Sequence, residues 1–83
     1  MRDKDIGKPR MRAYRYRCRL CGKLHNGAIG NFSFSDGQLI LMELEKTNSV
    51  YRKGAIIRKR SFHICDDGGF GISDIQGFQN YDD

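Results

Sequence analysis

The 83-residue sequence predicts a small α+β fold in which β-strands and hairpins accompany one α-helix. Two segments alternate between apolar and polar residues, as half-buried strands do, and a segment between them has the broad apolar face of a helix. An Asp-Asp-Gly-Gly sequence near the C-terminus predicts a tight turn between two further strands. The chain is long enough for one domain and too short for two.

The first strand is predicted from Ala13 onward, after a basic segment without periodicity. Its two faces are formed by Tyr14, Tyr16 and Cys18 on one side and by Arg15, Arg17 and Arg19 on the other. We expect residues 1–10 to be a mobile basic arm, residues 11–79 to be a single zinc-binding domain, and residues 80–83 to be a frayed tail.

The middle of the chain contains the predicted helix. Leu24 to Phe32 is interpreted as irregular structure or as a short second strand, interrupted by a hairpin-type turn at Asn26-Gly27. Ser35 is then predicted to cap the helix, with Gln38 completing a capping box. Phe34 would contact Leu39 as a hydrophobic staple, and the apolar residues up to Leu44 predict about three helical turns.

After a predicted loop from Val50 to Gly54, a second alternating segment extends from Ile56 to Cys65. The turn at 66–69 would return the chain into a strand from Phe70 to Ile75, which forms a C-terminal hairpin.

The cysteine and histidine spacing predicts one structural zinc ion. Cys18 and Cys21 have the spacing that brings two thiolates onto one tetrahedral ion, and Gly22 suits the turn that follows. His63 and Cys65 lie two residues apart on a predicted strand and so share a face. A pair of buried thiols or a redox dithiol is the alternative for the two N-terminal cysteines. His25 is interpreted as a surface or hydrogen-bonded histidine, because the other four residues complete the tetrahedron.

Three sequence features together resemble a type of small, phage-encoded, zinc-ribbon-like protein of unsettled function. They are Cys18-Arg-Leu-Cys21-Gly-Lys, a central helix, and His63-Ile-Cys65-Asp-Asp-Gly followed by Gly71-Ile-Ser-Asp-Ile-Gln-Gly-Phe78. The resemblance covers residues 14–78. It implies a zinc-ribbon-like fold, a viral origin and a zinc ion at Cys18, Cys21, His63 and Cys65, but no activity.

Catalysis is not expected, because four protein ligands would close the metal site and the sequence offers only His25 as a further histidine. The three cysteines, and the lack of a signal peptide or long apolar segment, favour the reducing cytoplasm, here that of an infected host cell, and no membrane.

The formal net charge of +5 favours an acidic partner. Candidate contacts are Arg15, Arg17 and Arg19 on one strand face, Arg58, Lys59 and Arg60 in a second cluster, and Tyr14, Tyr16 or Tyr51 as stacking rings. The tyrosines equally fit an inward strand face. A host protein is expected ahead of nucleic acid, because five C-terminal aspartates would repel a phosphate backbone. A homodimer through Leu39 to Leu44 is an alternative use of the helix.

Overall fold

The computed structural model describes residues 7–52 and 54–81. Of the predicted mobile arm at residues 1–10 and frayed tail at residues 80–83, residues 1–6 and 82–83 lie outside the described residues, whereas Arg10 and Asn80 are strand residues. In chain order the described elements are β1 (Arg10–Cys18), β2 (Leu24–Phe32), α1 (Phe34–Leu44), β3 (Ser49–Arg52), β4 (Ala55–Arg58), β5 (Arg60–Ile64) and β6 (Phe70–Asn80). A mostly β structure with one described helix agrees with the predicted α+β class.

Four strands form an antiparallel sheet in the order β2-β1-β6-β5, and β3 and β4 form a separate hairpin. The predicted alternation of β1 is confirmed, because Tyr14, Tyr16 and Cys18 are at most 2% exposed. Their side chains point to the inner face of the sheet, where α1 packs.

The segment after the first cysteine pair is a continuous strand with one irregularity, which confirms the short second strand and corrects the predicted turn at Asn26-Gly27. The register passes from Ala13 opposite Ile29 to Arg15 opposite Asn26, so Gly27 and the next residue together face one residue of β1. This is a β-bulge, which sequence patterns readily confuse with a turn. Glycine fits there because the ring of Tyr16 occupies the space that a side chain would need.

The helix has the predicted three turns but begins two residues earlier than expected. Its N-cap is Ser33 and not Ser35, since the Asp36 amide donates to the Ser33 hydroxyl at 3.0 Å. Phe34 packs edge-on against Phe78, with ring centroids 5.4 Å apart. Leu39, its expected staple partner, is 48% exposed.

The predicted loop at 50–54 is wrong in part, because Ser49–Arg52 forms β3 and pairs with β4. The alternating run from Ile56 to Cys65 is divided at Lys59 between the two sheets. The Lys59 amide donates to the Asn48 carbonyl (2.8 Å) and the Lys59 carbonyl accepts from Ile75 (3.0 Å), so this residue joins the sheets. The C-terminal hairpin is confirmed, although β6 extends to Asn80 and not only to Ile75.

The core lies between the inner face of the sheet, α1 and the β3–β4 hairpin. Its buried cluster consists of Tyr14, Tyr16, Phe32, Ile40, Leu44 and Ile57. The metal-ligand candidates begin at Cys18, the last residue of β1, beyond Tyr16 of this cluster. None of the helical structure within residues 7–52 and 54–81 has the length and apolarity that a membrane span requires.

Candidate functional site

The first pair of candidate ligands is held by a tight turn at the end of β1. The Cys18 amide donates to the Lys23 carbonyl (3.0 Å), and the Gly22 amide donates to the Cys18 carbonyl (2.8 Å). Gly22 has a φ of 78°, a left-handed conformation that glycine adopts without strain. The turn places the Cys21 sulfur close to the Cys18 sulfur.

The second pair lies at the tip of the β5–β6 hairpin and has a similar turn. The Cys65 amide donates to the Gly69 carbonyl (2.8 Å) and the Gly68 amide donates to the Cys65 carbonyl (2.9 Å). Gly68 has a φ of 89°. His63 precedes Cys65 by two residues and therefore projects from the same face of the hairpin. Each turn thus aims its ligands at the space between the two turns.

The structure brings all four predicted ligands together. The Cys18 and Cys65 sulfurs are 3.8 Å apart, and the Nδ1 atom of His63 lies 3.5 Å from the Cys21 sulfur and 3.8 Å from the Cys65 sulfur. All four ligand atoms lie within 4.8 Å of one another. The group is therefore able to bind a metal ion.

The electrostatics of the cluster favour a cation. The Cys21 backbone amide, with smaller contributions from His63 and other donors, lowers the pKa of Cys18 to about 6 despite burial. Burial, together with hydrogen bonds to the other two thiols, raises the pKa of Cys65 to about 12. The surroundings thus favour the thiolate form of Cys18, whereas burial and the neighbouring thiols oppose deprotonation of Cys65. A bound cation removes that opposition, because it deprotonates coordinating thiols.

His25 supports the cluster and is not one of its four members. Its ring stacks on the His63 ring, with centroids 4.8 Å apart and planes 12° apart, and on its other neighbour Tyr16 at 5.8 Å. Its Nε2 atom lies 2.6 Å from the hydroxyl of Ser73, which is fully buried. The prediction of a hydrogen-bonded histidine therefore agrees with the structure. Its role in orienting His63 depends on strand register and has no signal in the sequence.

Gly71 leaves the room that the cluster needs. It lies opposite His63 on β6, and a Cβ atom there would collide with the Cys18 sulfur. Because this position has no side chain, the two ligand pairs can approach each other closely.

The predicted partner-binding residues are placed unequally. Tyr14 and Tyr16 are 1% and 2% exposed, so the prediction that they stack on a partner is corrected: both rings pack in the core. Arg17 is exposed on β1 and Arg15 is partly exposed there, while Arg19 is exposed in the turn that follows β1. Arg58 lies on β4 and Arg60 on β5. Lys59 is half-buried at the junction of the sheets. The second basic cluster is therefore divided between two surfaces.

An exposed apolar group on the β5–β6 hairpin was not predicted from the sequence. Phe62 lies opposite Ile72 and Ile64 lies opposite Phe70, and all four are between 42% and 73% exposed. The strand register places them on the same side of the sheet as Arg15, Arg17, Arg19 and Arg60, away from the metal-ligand cluster. We call these eight residues the outer face. The alternation of Phe62 with His63 is its only sequence signal.

Comparisons with protein-family models, with curated proteins and with solved structures gave no match. The site therefore defines a class by its chemistry alone. It is a group of three cysteines and one histidine that could hold a metal ion, on a small, mostly β structure.

Proposed function

We propose that the chain is a non-catalytic binding module whose fold is stabilised by one zinc ion at Cys18, Cys21, His63 and Cys65. The observation that carries this proposal is the spacing of the ligand atoms. A tetrahedral ion with metal–sulfur bonds of about 2.3 Å and a metal–nitrogen bond of about 2.0 Å separates two sulfurs by about 3.8 Å, and sulfur from nitrogen by about 3.5 Å. In the cluster, the sulfur–sulfur distance between Cys18 and Cys65 is 3.8 Å, and the distances from His63 Nδ1 to the sulfurs of Cys21 and Cys65 are 3.5 and 3.8 Å.

Zinc is favoured by the chemistry of the donors. Thiolate and imidazole ligands in a tetrahedral arrangement are typical of zinc, whereas calcium, magnesium and manganese prefer oxygen. Four protein ligands fill such a site and leave no position for a substrate or an activated water. The zinc would thus hold the end of β1 against the β5–β6 hairpin.

The binding role is supported by the outer face, which is exposed, apolar at one end and basic at the other. We place the protein in a reducing compartment, where its three free cysteines remain available to metal. The resemblance to phage-encoded proteins suggests the cytoplasm of an infected host and a host protein as one candidate partner. The outer face itself favours single-stranded nucleic acid as the partner.

Cobalt substitution tests the metal site directly. We expect the purified protein to contain one zinc per chain, and Co²⁺ to give the visible bands of a tetrahedral thiolate site. Cys21→Ser removes one of three sulfurs and should abolish stoichiometric binding and folding. His25→Gln is the matched control, because His25 stacks on His63 without belonging to the four. A folded Cys21→Ser protein without metal would refute the proposal.

A further inference from the structure

The outer face combines two features on an exposed sheet surface: nearly parallel aromatic rings and a group of arginines. Phe62 and Phe70 are 67% and 65% exposed, their centroids are 5.3 Å apart and their planes differ by 20°. Rings that only filled the core would be covered. These two rings lie on the side of the sheet opposite the core and the metal-ligand cluster.

The arginines lie beside the rings on paired strands of the same sheet. Arg60 of β5 lies opposite Asp74 of β6, which lies opposite Arg17 of β1. Asp74 accepts two hydrogen bonds from Arg19, at 2.6 and 2.8 Å, and lies 3.6 Å from Arg60. One carboxylate thus serves two arginines, and the surface beside the rings keeps a net positive charge.

Arg15 and Arg17 add to this charge because both are held by neutral acceptors. Arg15 donates to the side chain of Asn26 at 2.7 Å, and Arg17 donates to the Gly22 carbonyl at 3.1 Å. These hydrogen bonds orient the guanidinium groups without neutralising their positive charge. Both side chains remain able to form charge-assisted hydrogen bonds to phosphate.

The aspartates that favoured a protein partner in the sequence are arranged differently in the structure. Asp74 is paired with Arg19, and Asp66 lies 3.4 Å from Lys23 at the hairpin tip. Asp67, at the same tip, accepts a hydrogen bond from the Gly69 amide at 3.0 Å, and Asp82 and Asp83 lie outside the described residues. The ion pairs of Asp74 and Asp66 therefore weaken the repulsion that these two carboxylates would exert on a phosphate.

We propose that the outer face binds single-stranded DNA without sequence preference, with bases stacked on Phe62 and Phe70 and phosphates contacted by Arg15, Arg17 and Arg60. Sheet-borne aromatic rings beside a basic track are the means by which proteins hold single strands, since every base has a face that can stack. A duplex does not offer this contact, because its bases are stacked on one another. The proposal rests on the proposed zinc-stabilised fold, which holds the β5–β6 hairpin on β1.

DNA is favoured over RNA by the polar side chains between the arginines. Asp74 and Asn26 are already bonded to arginines. Within the described outer face, stacking and phosphate contacts are therefore available, whereas these two acceptors are engaged by arginines and not by the 2′-hydroxyl that distinguishes RNA.

The test is fluorescence anisotropy with a labelled oligothymidylate of about 12 nucleotides, a length within the range that small single-strand-binding modules cover. We expect Phe62→Ala and Phe70→Ala each to weaken binding roughly 5- to 150-fold, the range for loss of one base–aromatic stack. Tyr51→Ala is the matched aromatic control: Tyr51 is 72% exposed but lies on β3, in the other sheet. It should bind as the unmodified protein does.

The salt dependence separates phosphate contacts from stacking. Arg17→Gln should lower the slope of log K against log salt by about 0.7, the value for one phosphate on a single strand. Lys46→Gln, beyond the end of α1, makes the same charge change away from the face and should leave the slope unchanged. A mixed-sequence strand should bind as the oligothymidylate does, and the matched duplex should bind more weakly.

Zinc content and folding are measured on every variant, so the two proposals fail separately. A zinc-loaded, folded protein that binds no single strand, or binds one equally well without Phe62 and Phe70, overturns the DNA proposal alone. Tighter binding to the RNA strand overturns the choice of DNA. Retention of a host protein from nuclease-treated lysate, lost in Phe62→Ala while the oligonucleotide is not bound, assigns the face to a protein instead. A protein that folds without metal overturns the proposed function.

Discussion

The hydroxyl of Tyr14 is the buried polar atom that the described fold leaves without a hydrogen-bond partner among residues 7–52 and 54–81. Its ring is 1% exposed and stacks on Phe32, with centroids 5.2 Å apart. Beside it is a cavity of about 130 Å³, lined also by Ile40 and Ile57. Burial raises the pKa of Tyr14 well above the usual tyrosine value. The ring therefore stabilises the core while its hydroxyl opposes burial.

We predict that Tyr14→Phe leaves the free energy of unfolding unchanged or raises it by about 1–2 kcal/mol, because an unpaired buried hydroxyl is removed. Because burial raises the pKa of Tyr14 in the folded state, the protein loses stability as the pH rises above the usual tyrosine pKa of about 10, where the unfolded chain ionises more readily. The variant should thus lose less stability between about pH 7 and pH 10.5.

Urea unfolding at both pH values checks this prediction. Tyr16→Phe is the control, because the Tyr16 hydroxyl donates to the Arg58 carbonyl and its loss should cost about 1 kcal/mol. A clear loss of stability in Tyr14→Phe would show that its hydroxyl has a partner in solution.

The individual ligands were predictable from sequence because their chemistry is local. The spacing of Cys18 and Cys21 in one turn, and of His63 and Cys65 on one strand face, reports their geometry directly. The stacking of His25 on His63 was not predictable, since it requires the register that sets His25 opposite Tyr16. For the same reason the sequence suggested Tyr14 and Tyr16 as stacking rings and missed Phe62 and Phe70.

At the scale of elements, α1 approaches the sheet closely because it contains Gly37. This residue is buried, and a Cβ atom there would lie 2.7 Å from ring atoms of Phe78 and 2.8 Å from Phe32. In an exposed helix, alanine would be preferred over glycine by about 1 kcal/mol. Here the close approach outweighs that preference.

We therefore predict that Gly37→Ala lowers stability by about 1–3 kcal/mol, the usual cost of overpacking. Thermal unfolding of the zinc-loaded protein is the measurement. Gln38→Ala, at the next and exposed position of the same helix, should be neutral or slightly stabilising. Adding Phe78→Leu to Gly37→Ala should restore part of the loss, and a stabilised Gly37→Ala protein would contradict the packing described here.

A second element-scale prediction concerns Asp74, which ties β6 to the end of β1 and the start of β5. The hydrogen bonds from Arg19 lower the pKa of Asp74, so the stabilisation is present above the usual carboxyl pKa of about 3.9 and lost as the pH falls through the folded value. Because both side chains are partly exposed, Asp74→Asn should cost only about 0.5–1 kcal/mol near pH 6.

The difference between Asp74→Asn and the unmodified protein should shrink as salt is added, since ions screen an exposed pair. Salt is a better variable than acid here, because protons also compete with metal for the thiolates. Glu43→Gln, an exposed carboxylate on α1, serves as the control and should show no such dependence. A salt-independent loss in Asp74→Asn would point to packing and not to charge.

Elements were predictable where short-range pattern decides, as in β1, the helix and the hairpin turn. They were not predictable where a distant contact decides. Ser33 and Ser35 are both suitable caps, and the choice of Ser33 follows from the packing of Phe34 and Gly37 on Phe78. The division of residues 56–65 at Lys59 follows from hydrogen bonds to Asn48 and Ile75, which no local pattern indicates.

At the scale of the whole molecule, a small core packs on β1 at Tyr14 and Tyr16, and the metal-ligand cluster adjoins it at the C-terminal end of that strand. The core cluster has six buried members, and a chain of this length buries only about 60% of the surface exposed on unfolding. A core of this size rarely supplies more than about 3–5 kcal/mol, whereas a structural zinc in a small module contributes roughly 10–16 kcal/mol that is coupled to folding. On the proposed zinc assignment, the metal and not the core is the larger source of stability.

Chelation should therefore unfold the whole chain, including the end that lies far from the ligands. We predict that removing zinc abolishes the far-ultraviolet helix signal of α1 together with the native methyl resonances of Ile57 in the core and Ile72 on the outer face, and that added zinc restores all three. The three probes should change in parallel across a chelator titration, because one folded unit is being lost. Helix and core signals that survive while those of the hairpin disappear would instead show that the core folds alone, and that the metal serves only to hold the β5–β6 hairpin and its exposed rings in place.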